Sequence, residues 1–179
     1  MLRYAILGLI CYQEMSGYDI LKRFEDSLSG IIYAQKSQVY KELQTLHKDG
    51  LIGMRQTDQT LRPNKNIYYA TEKGVNALTD WLVGMDESIH FRQRLPFIVK
   101  VYFSANIPKE KLLRSLEHFK EITLRSKEKT RKIRDHITTN HRNDEHFPYW
   151  DMCTDYCEIT TDAYLAWADR CIARLRNEP

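Results

Sequence analysis

Glycine and proline are scarce in this chain, seven and five among 179 residues, which leaves no room for low-complexity linkers. No internal repeat is present. The apolar run Leu2–Cys11 is too short to span a bilayer and lacks the flanks of a signal peptide, so no membrane partner is expected. Four cysteines without a signal sequence point to free thiols in a reducing, cytoplasmic setting. A Gly-rich phosphate loop, a G-x-S-x-G turn and a carboxylate pair with reason to differ in pKa are all missing. Neither catalysis nor a cofactor is expected. Charge of one sign is also lacking. The formal net charge is +3, and residues 1–84 carry ten Lys/Arg against nine Asp/Glu. Any nucleic-acid binding must therefore come from where the cations sit rather than from their total.

What is present centres on residues 37–52. Val39, Leu43 and Leu46 fall at i, i+4 and i+7, one apolar stripe of an amphipathic helix. Ser37, Lys41, Gln44 and Lys48 then share the opposite face, which is polar, basic and free of carboxylates. Gly50 is placed to end the helix in the left-handed conformation. Such a face is a plausible reader of a DNA major groove. Upstream, Ser16 is a good N-cap for a helix carrying Leu21, Phe24 and Leu28, which Ser29-Gly30 ends. The first apolar run makes an extra helix in front, so the layout is a helix-turn-helix.

Downstream, Leu51–Thr57 and Asn66–Ala70 read as strands joined by a polar loop, residues 58–65, whose tip carries Arg62 and Lys65. A hairpin directly after a recognition-type helix is the wing of a winged helix, suited to backbone or minor-groove contacts. The segment Thr71–Gly74 caps a fourth helix through Leu78, Trp81 and Leu82. These blocks carry a resemblance: Tyr4-Ala5-Ile6-Leu7-Gly8-Leu9, Ser16-Gly17-Tyr18-Asp19-Ile20, Ser37-Gln38-Val39-Tyr40-Lys41-Glu42-Leu43, Gly50-Leu51-Ile52 and Tyr68-Tyr69-Ala70-Thr71-Glu72-Lys73-Gly74. In that order and spacing they resemble the winged-helix domain of the PadR family of bacterial transcriptional regulators. The resemblance implies a dimeric repressor that binds imperfect inverted repeats of double-stranded DNA and responds to small molecules.

A loop, Gly84–Ser88, separates this part from a helical remainder. Leu95, Ile98, Val99 and Tyr102 take helical spacing, with Pro96 tolerable only in a first turn. After Pro108 a long helix carries Leu112, Leu116, Phe119, Ile122 or Thr123, Ser126, Ile133 and Ile137. Its middle, Arg125 to Arg134, is dense in cations and reads as a solvated face. The stretch from Asn140 to Phe147 connects to a last helix, Tyr149–Arg176. Tyr156, Cys157, Thr160, Ala163, Tyr164, Trp167, Cys171 and Leu175 are expected along one broad face, wider than a hairpin needs. A second copy would cover it. Within the resemblance, this half matches the longer PadR subgroup with a helical dimerisation region.

Cys153 and Cys157, with His141 and His146 upstream, could be drawn as a zinc site. A helix face that also buries aromatics favours core thiols, and no metal is expected. His136, His141 and His146 recur every five residues, which scatters them around a helix in solvated or capping roles. The sequence thus specifies a mainly α chain with a small β-hairpin: a winged helix over residues 1–84, then an α-helical dimerisation and effector region over 85–179. Ser37, Gln38, Tyr40, Lys41, Gln44 and Lys48 are the expected groove and phosphate contacts, with Arg62 and Lys65 on the wing. The Tyr40 ring is expected to pack while its hydroxyl reaches a phosphate. Trp150, Tyr156, Tyr164 and Trp167 are the expected lining of a site for a small aromatic effector. The alternative reading is a winged helix used only for protein interaction, without specific DNA binding.

Overall fold

The structure, a computed structural model, describes residues 1–28, 31–32, 34–57, 65–84 and 96–177. The chain divides into two compact units, Met1–Ile89 and His90–Pro179.

The first unit runs α1 (Leu2–Tyr12), β1 (Met15–Ser16), α2 (Gly17–Arg23) continued by a π-helical turn (Phe24–Leu28), α3 (Lys36–Lys48), β2 (Ile52–Thr57), β3 (Lys65–Ala70) and α4 (Glu72–Val83). The stripe expected on α3 is buried: Val39, Leu43 and Leu46 are fully enclosed, together with Ile6, Leu7 and Ile20. Helix ends follow the side chains at them. The Ser16 hydroxyl accepts the Asp19 amide, and the Asp19 carboxylate accepts the Ser16 amide in return. Thr71 caps α4 by accepting the Gly74 amide at 3.1 Å. Gly50, at φ 71°, turns the chain from α3 into β2.

The hairpin expected from sequence gains a third, two-residue strand, in the order β1-β3-β2. Met15 pairs with Tyr68 and Ser16 with Ile67. In the β2–β3 ladder Thr57 pairs with Lys65, which is the last rung before residues 58–64. This corrects the place expected for Lys65: it begins a strand instead of riding the loop tip. Arg62, together with Ser29 and Gly30, lies outside the described residues.

The second unit holds α5 (Pro96–Tyr102), a 3₁₀ turn (Ser104–Asn106), α6 (Lys109–Asn140) and α7 (Phe147–Asn177). Pro96 is the first residue of its helix, where its missing N–H costs nothing. The long helices form an antiparallel hairpin. On α6 the buried positions are Leu116, Thr123, Thr130 and Ile137, each seven residues on from the last. Thr154, Thr161 and Ala168 repeat the same interval on α7. A heptad seam results, with threonines along its middle and Leu116 and Ile137 towards its ends. Its hydroxyls are satisfied within their own helices: Thr123 donates to the Phe119 carbonyl at 2.8 Å, and Thr161 to that of Cys157 at 2.8 Å.

Beside the seam runs an ion ladder with the same period. Lys120 pairs with Asp169, Lys127 with Asp162, and Arg134 with Asp155, Asp151 and Glu158. Part of the cation-dense segment read as a solvated face therefore holds the hairpin together. The single broad face expected on α7 also divides. Cys157 is buried and Tyr164, Trp167, Cys171 and Leu175 are half-buried, whereas Tyr156 and Ala163 are exposed. Tyr149, Met152, Tyr156, Ile159 and Ala163 form a second apolar stripe, also of heptad spacing, on the solvent side of α7. The two stripes stand two residues apart in sequence, which is roughly 200° around a helix, so one neighbour cannot cover both.

Candidate nucleic-acid interface

Packing of Val39, Leu43 and Leu46 inward leaves Ser37, Gln38, Lys41, Gln44 and Lys48 exposed along the outer side of α3. Lys36, at the first helical position, is a further exposed cation about 100° around α3 from Ser37, and was missed from sequence because the helix was started one residue later. Among the described residues no carboxylate lies within ion-pair distance of Lys36, Lys41 or Lys48. The Gln38 side chain is engaged at home: its Oε1 accepts the Gln35 amide at 3.0 Å. Reaching a base edge would require it to leave that bond.

Tyr40 is more constrained than its neighbours. Its ring lies over Gly17, where a Cβ would stand 2.7 Å from Tyr40 Cε1, so a side chain at 17 would displace the phenol. The ring thus ties α3 to the start of α2. Tyr18, beside it, is 68% exposed.

The wing root carries two cations, and each meets a carboxylate: Glu14, just before β1, and Asp19, in the first turn of α2. Lys65 Nζ stands 2.9 Å from Asp19 Oδ2. Arg55 on β2 forms a two-pronged pair with Glu14, including an Nη1–Oε1 bond of 3.1 Å. Asp19 Oδ2 also accepts the Ser16 amide at 3.0 Å and the Ser16 hydroxyl at 2.7 Å. Partial burial works to raise its pKa, but these bonds and Lys65 hold the carboxyl below its usual range.

In the second unit Pro96, Phe97, Ile98, Phe119, Tyr164 and Trp167 line an apolar cavity of about 380 Å³. Phe97 stacks on Phe119 with ring centroids 4.6 Å apart, and Trp167 stands edge-on to both. Of the four aromatics expected to form an effector site, Tyr164 and Trp167 meet here. Trp150 does not, because it sits seventeen residues away on the same straight helix, roughly 25 Å along its axis. There its ring contacts His141 and His146. Tyr156 points into the exposed stripe. Phe97 and Phe119 were missed as lining, since nothing local in the sequence brings α5 to α6.

Among the described residues no group of three or more His, Cys, Asp or Glu could hold a metal ion. All four cysteines are free. Burial pushes the Cys157 thiol up, with Cys153 and Glu158 adding to it, the wrong direction for a nucleophile.

The model of the PadR-like transcriptional regulators matches residues 6–80, the whole helix-turn-helix and wing. Over residues 6–80 the chain belongs to the PadR-like family of transcriptional regulators. Residues 93–176 of this PadR-like chain match a second model, the virulence activator alpha C-terminal region. The negative transcriptional regulator PadR of Bacillus subtilis is 39% identical over 102 residues, 57% of this chain. The match spans only 56% of that relative's length. A crystal structure of Bacillus subtilis PadR in complex with operator DNA superposes with a TM-score of 0.83 at 25% identity, covering 97% of each chain. A further structure, of the same protein with p-coumaric acid, gives 0.76 at 24% identity, covering 98% of this chain and 99% of that one. No described helix of the PadR-like chain is long and apolar enough to cross a membrane.

Proposed function

We propose that this chain is a dimeric repressor that binds an inverted repeat of duplex DNA in the cytoplasm, has no catalytic activity of its own, and is released by a small aromatic effector. The observation that carries the reading is the outer face of α3: Ser37, Gln38, Lys41, Gln44 and Lys48 stand exposed in one row, with no carboxylate partner for the lysines among the described residues. It lies on a fold whose relative was crystallised on operator DNA. In this reading the row enters the major groove, Tyr40 and Lys65 stand at its edge, and Arg62 adds a backbone or minor-groove contact. Residues 1–84 form the reading module and residues 85–179 the dimerisation and effector region.

One winged helix reads only a half-site, so two must be held at a fixed separation. The exposed stripe of α7, from Tyr149 to Ala163, supplies the contact for a second copy. The cavity beside Tyr164 and Trp167 has a volume suited to a small planar ring.

Titration of a duplex carrying the operator, over a range of salt, tests the reading. Lys41→Ala is expected to weaken binding and to lower the log–log salt slope by about 0.9, one phosphate contact. Unchanged affinity and slope would remove α3 from the interface. Binding of neutral and anionic phenols, followed through tryptophan fluorescence, checks the cavity. Quenching that Trp167→Phe abolishes and Trp150→Phe leaves intact is the expected result.

A further inference from the structure

The reading face of α3 and the root of the wing differ in one respect that bears on how this chain tells its operator from other DNA. Among the described residues the α3 lysines have no carboxylate within ion-pair distance, whereas Arg55 and Lys65 are each held by one. Both carboxylates come from residues 14–19, the stretch that includes β1, and both reach across the sheet to the hairpin. We propose that Glu14 and Asp19 determine specificity by withholding Arg55 and Lys65 from duplex phosphates.

The proposal rests on the DNA-binding reading and follows from the physics of that binding. Sequence-independent affinity comes from phosphates neutralised and counterions released, with a slope of about 0.9 per contact on duplex DNA. A cation already paired with a carboxylate releases fewer ions when a phosphate replaces that partner, and the displaced carboxylate then stands close to the polyanion. Each pair thus subtracts from binding to any duplex. On random duplex the chain is free to take whichever register brings these cations to phosphates, whereas base-edge contacts from α3 fix the register on the operator. The pairs therefore cost random binding more, and the ratio of operator to random affinity rises. The near balance of charge over residues 1–84 fits a protein that limits indiscriminate binding in this way. Asp19 is well anchored for the role, because two donors from Ser16 fix the same oxygen that meets Lys65.

The test uses the full chain and the double variant Glu14→Gln, Asp19→Asn. The amides keep an acceptor for Ser16 and for Arg55 while removing both charges, and thermal melting verifies the fold. A scrambled duplex and an operator duplex are titrated from low to high salt. For the scrambled duplex the slope is expected to steepen by one to two units of about 0.9, with affinity up about tenfold or more at low salt. Operator affinity should gain less, so the operator-to-random ratio falls. Adding Arg55→Met and Lys65→Met should return the slope to that of the parent. Parent protein that binds DNA, with a slope unchanged or shallower in the double variant, overturns the inference alone. A shallower slope would mean that the carboxylates aim the cations at DNA instead. Parent protein that binds no duplex at any salt overturns the DNA-binding reading and this inference with it.

Discussion

The two units of this chain solve the problem of packing helices in opposite ways. In Met1–Ile89, branched and long apolar side chains from α1, α2, α3 and β2 interlock, with Ile6, Leu7, Ile20, Leu43 and Leu46 removed from solvent. In His90–Pro179 the seam between α6 and α7 is built largely of threonine and alanine, and its register is kept by charges outside it. Burial of apolar area contributes roughly 25 cal/mol per Å², so the first arrangement gains much per residue and the second little. The second gains instead closeness of approach and an unambiguous register. Because Lys120, Lys127 and Arg134 meet Asp169, Asp162 and Asp155 in reverse order, only the antiparallel pairing satisfies all three rungs. A unit with so little apolar burial of its own, and with Tyr149, Met152, Tyr156 and Ile159 left exposed on α7, is suited to completing its core with another copy.

The largest loss is expected where apolar packing is tightest. Leu43→Ala empties space in a fully enclosed site and should cost the first unit about 2–5 kcal/mol. Calorimetry should show that loss, with sedimentation of the chain unaltered below the transition. Next in size is Ala163→Glu, at the end of the exposed stripe. It should leave the protomer folded yet cost about 1–3 kcal/mol of association by burying a carboxylate against a second copy. Sedimentation equilibrium reads this directly; an unaltered dimer would place the contact elsewhere. Smallest is Asp162→Lys in the ladder. Exposed pairs contribute only about 0.2–1 kcal/mol, so the melting point should fall slightly at low salt and recover at high salt. Adding Lys127→Asp should restore most of the loss by reversing the rung.

How legible each unit was from sequence follows the same division. In the first, the apolar period of α3, the Ser16 and Thr71 caps and the turn at Gly50 are local signals, and each stands where its spacing put it. The short strand β1 was invisible, because two residues carry no period and its pairing partners lie some fifty residues away. For the same reason nothing adjacent to Lys65 announced Asp19. In the second unit the helices were legible but their faces were not. Threonine counts as neither apolar nor charged in a periodicity reading, so Thr130, Thr154 and Thr161 were passed over as core and Thr123 stood only as the alternative to Ile122. Their spacing of seven, shared by the cations of α6 and the aspartates of α7, was the signal available. On α7 two stripes two residues apart merged into one apparent face, which carried Tyr156 and Ala163 to the wrong side.

The hairpin has a mechanical consequence as well. α6 runs 32 residues without a proline in its interior, a rod about 48 Å long, and its seam braces it against a second rod of nearly equal length. Paired rods bend far less readily than one. A rotation of about 5° where Phe97 meets Phe119 would sweep the opposite tip, about 32 Å away, through about 3 Å. That is close to the rise of one base-pair step along a duplex. A ring wedged into the aromatic cavity need distort its surroundings only slightly for the far end of the hairpin to lose its register with whatever it is braced against.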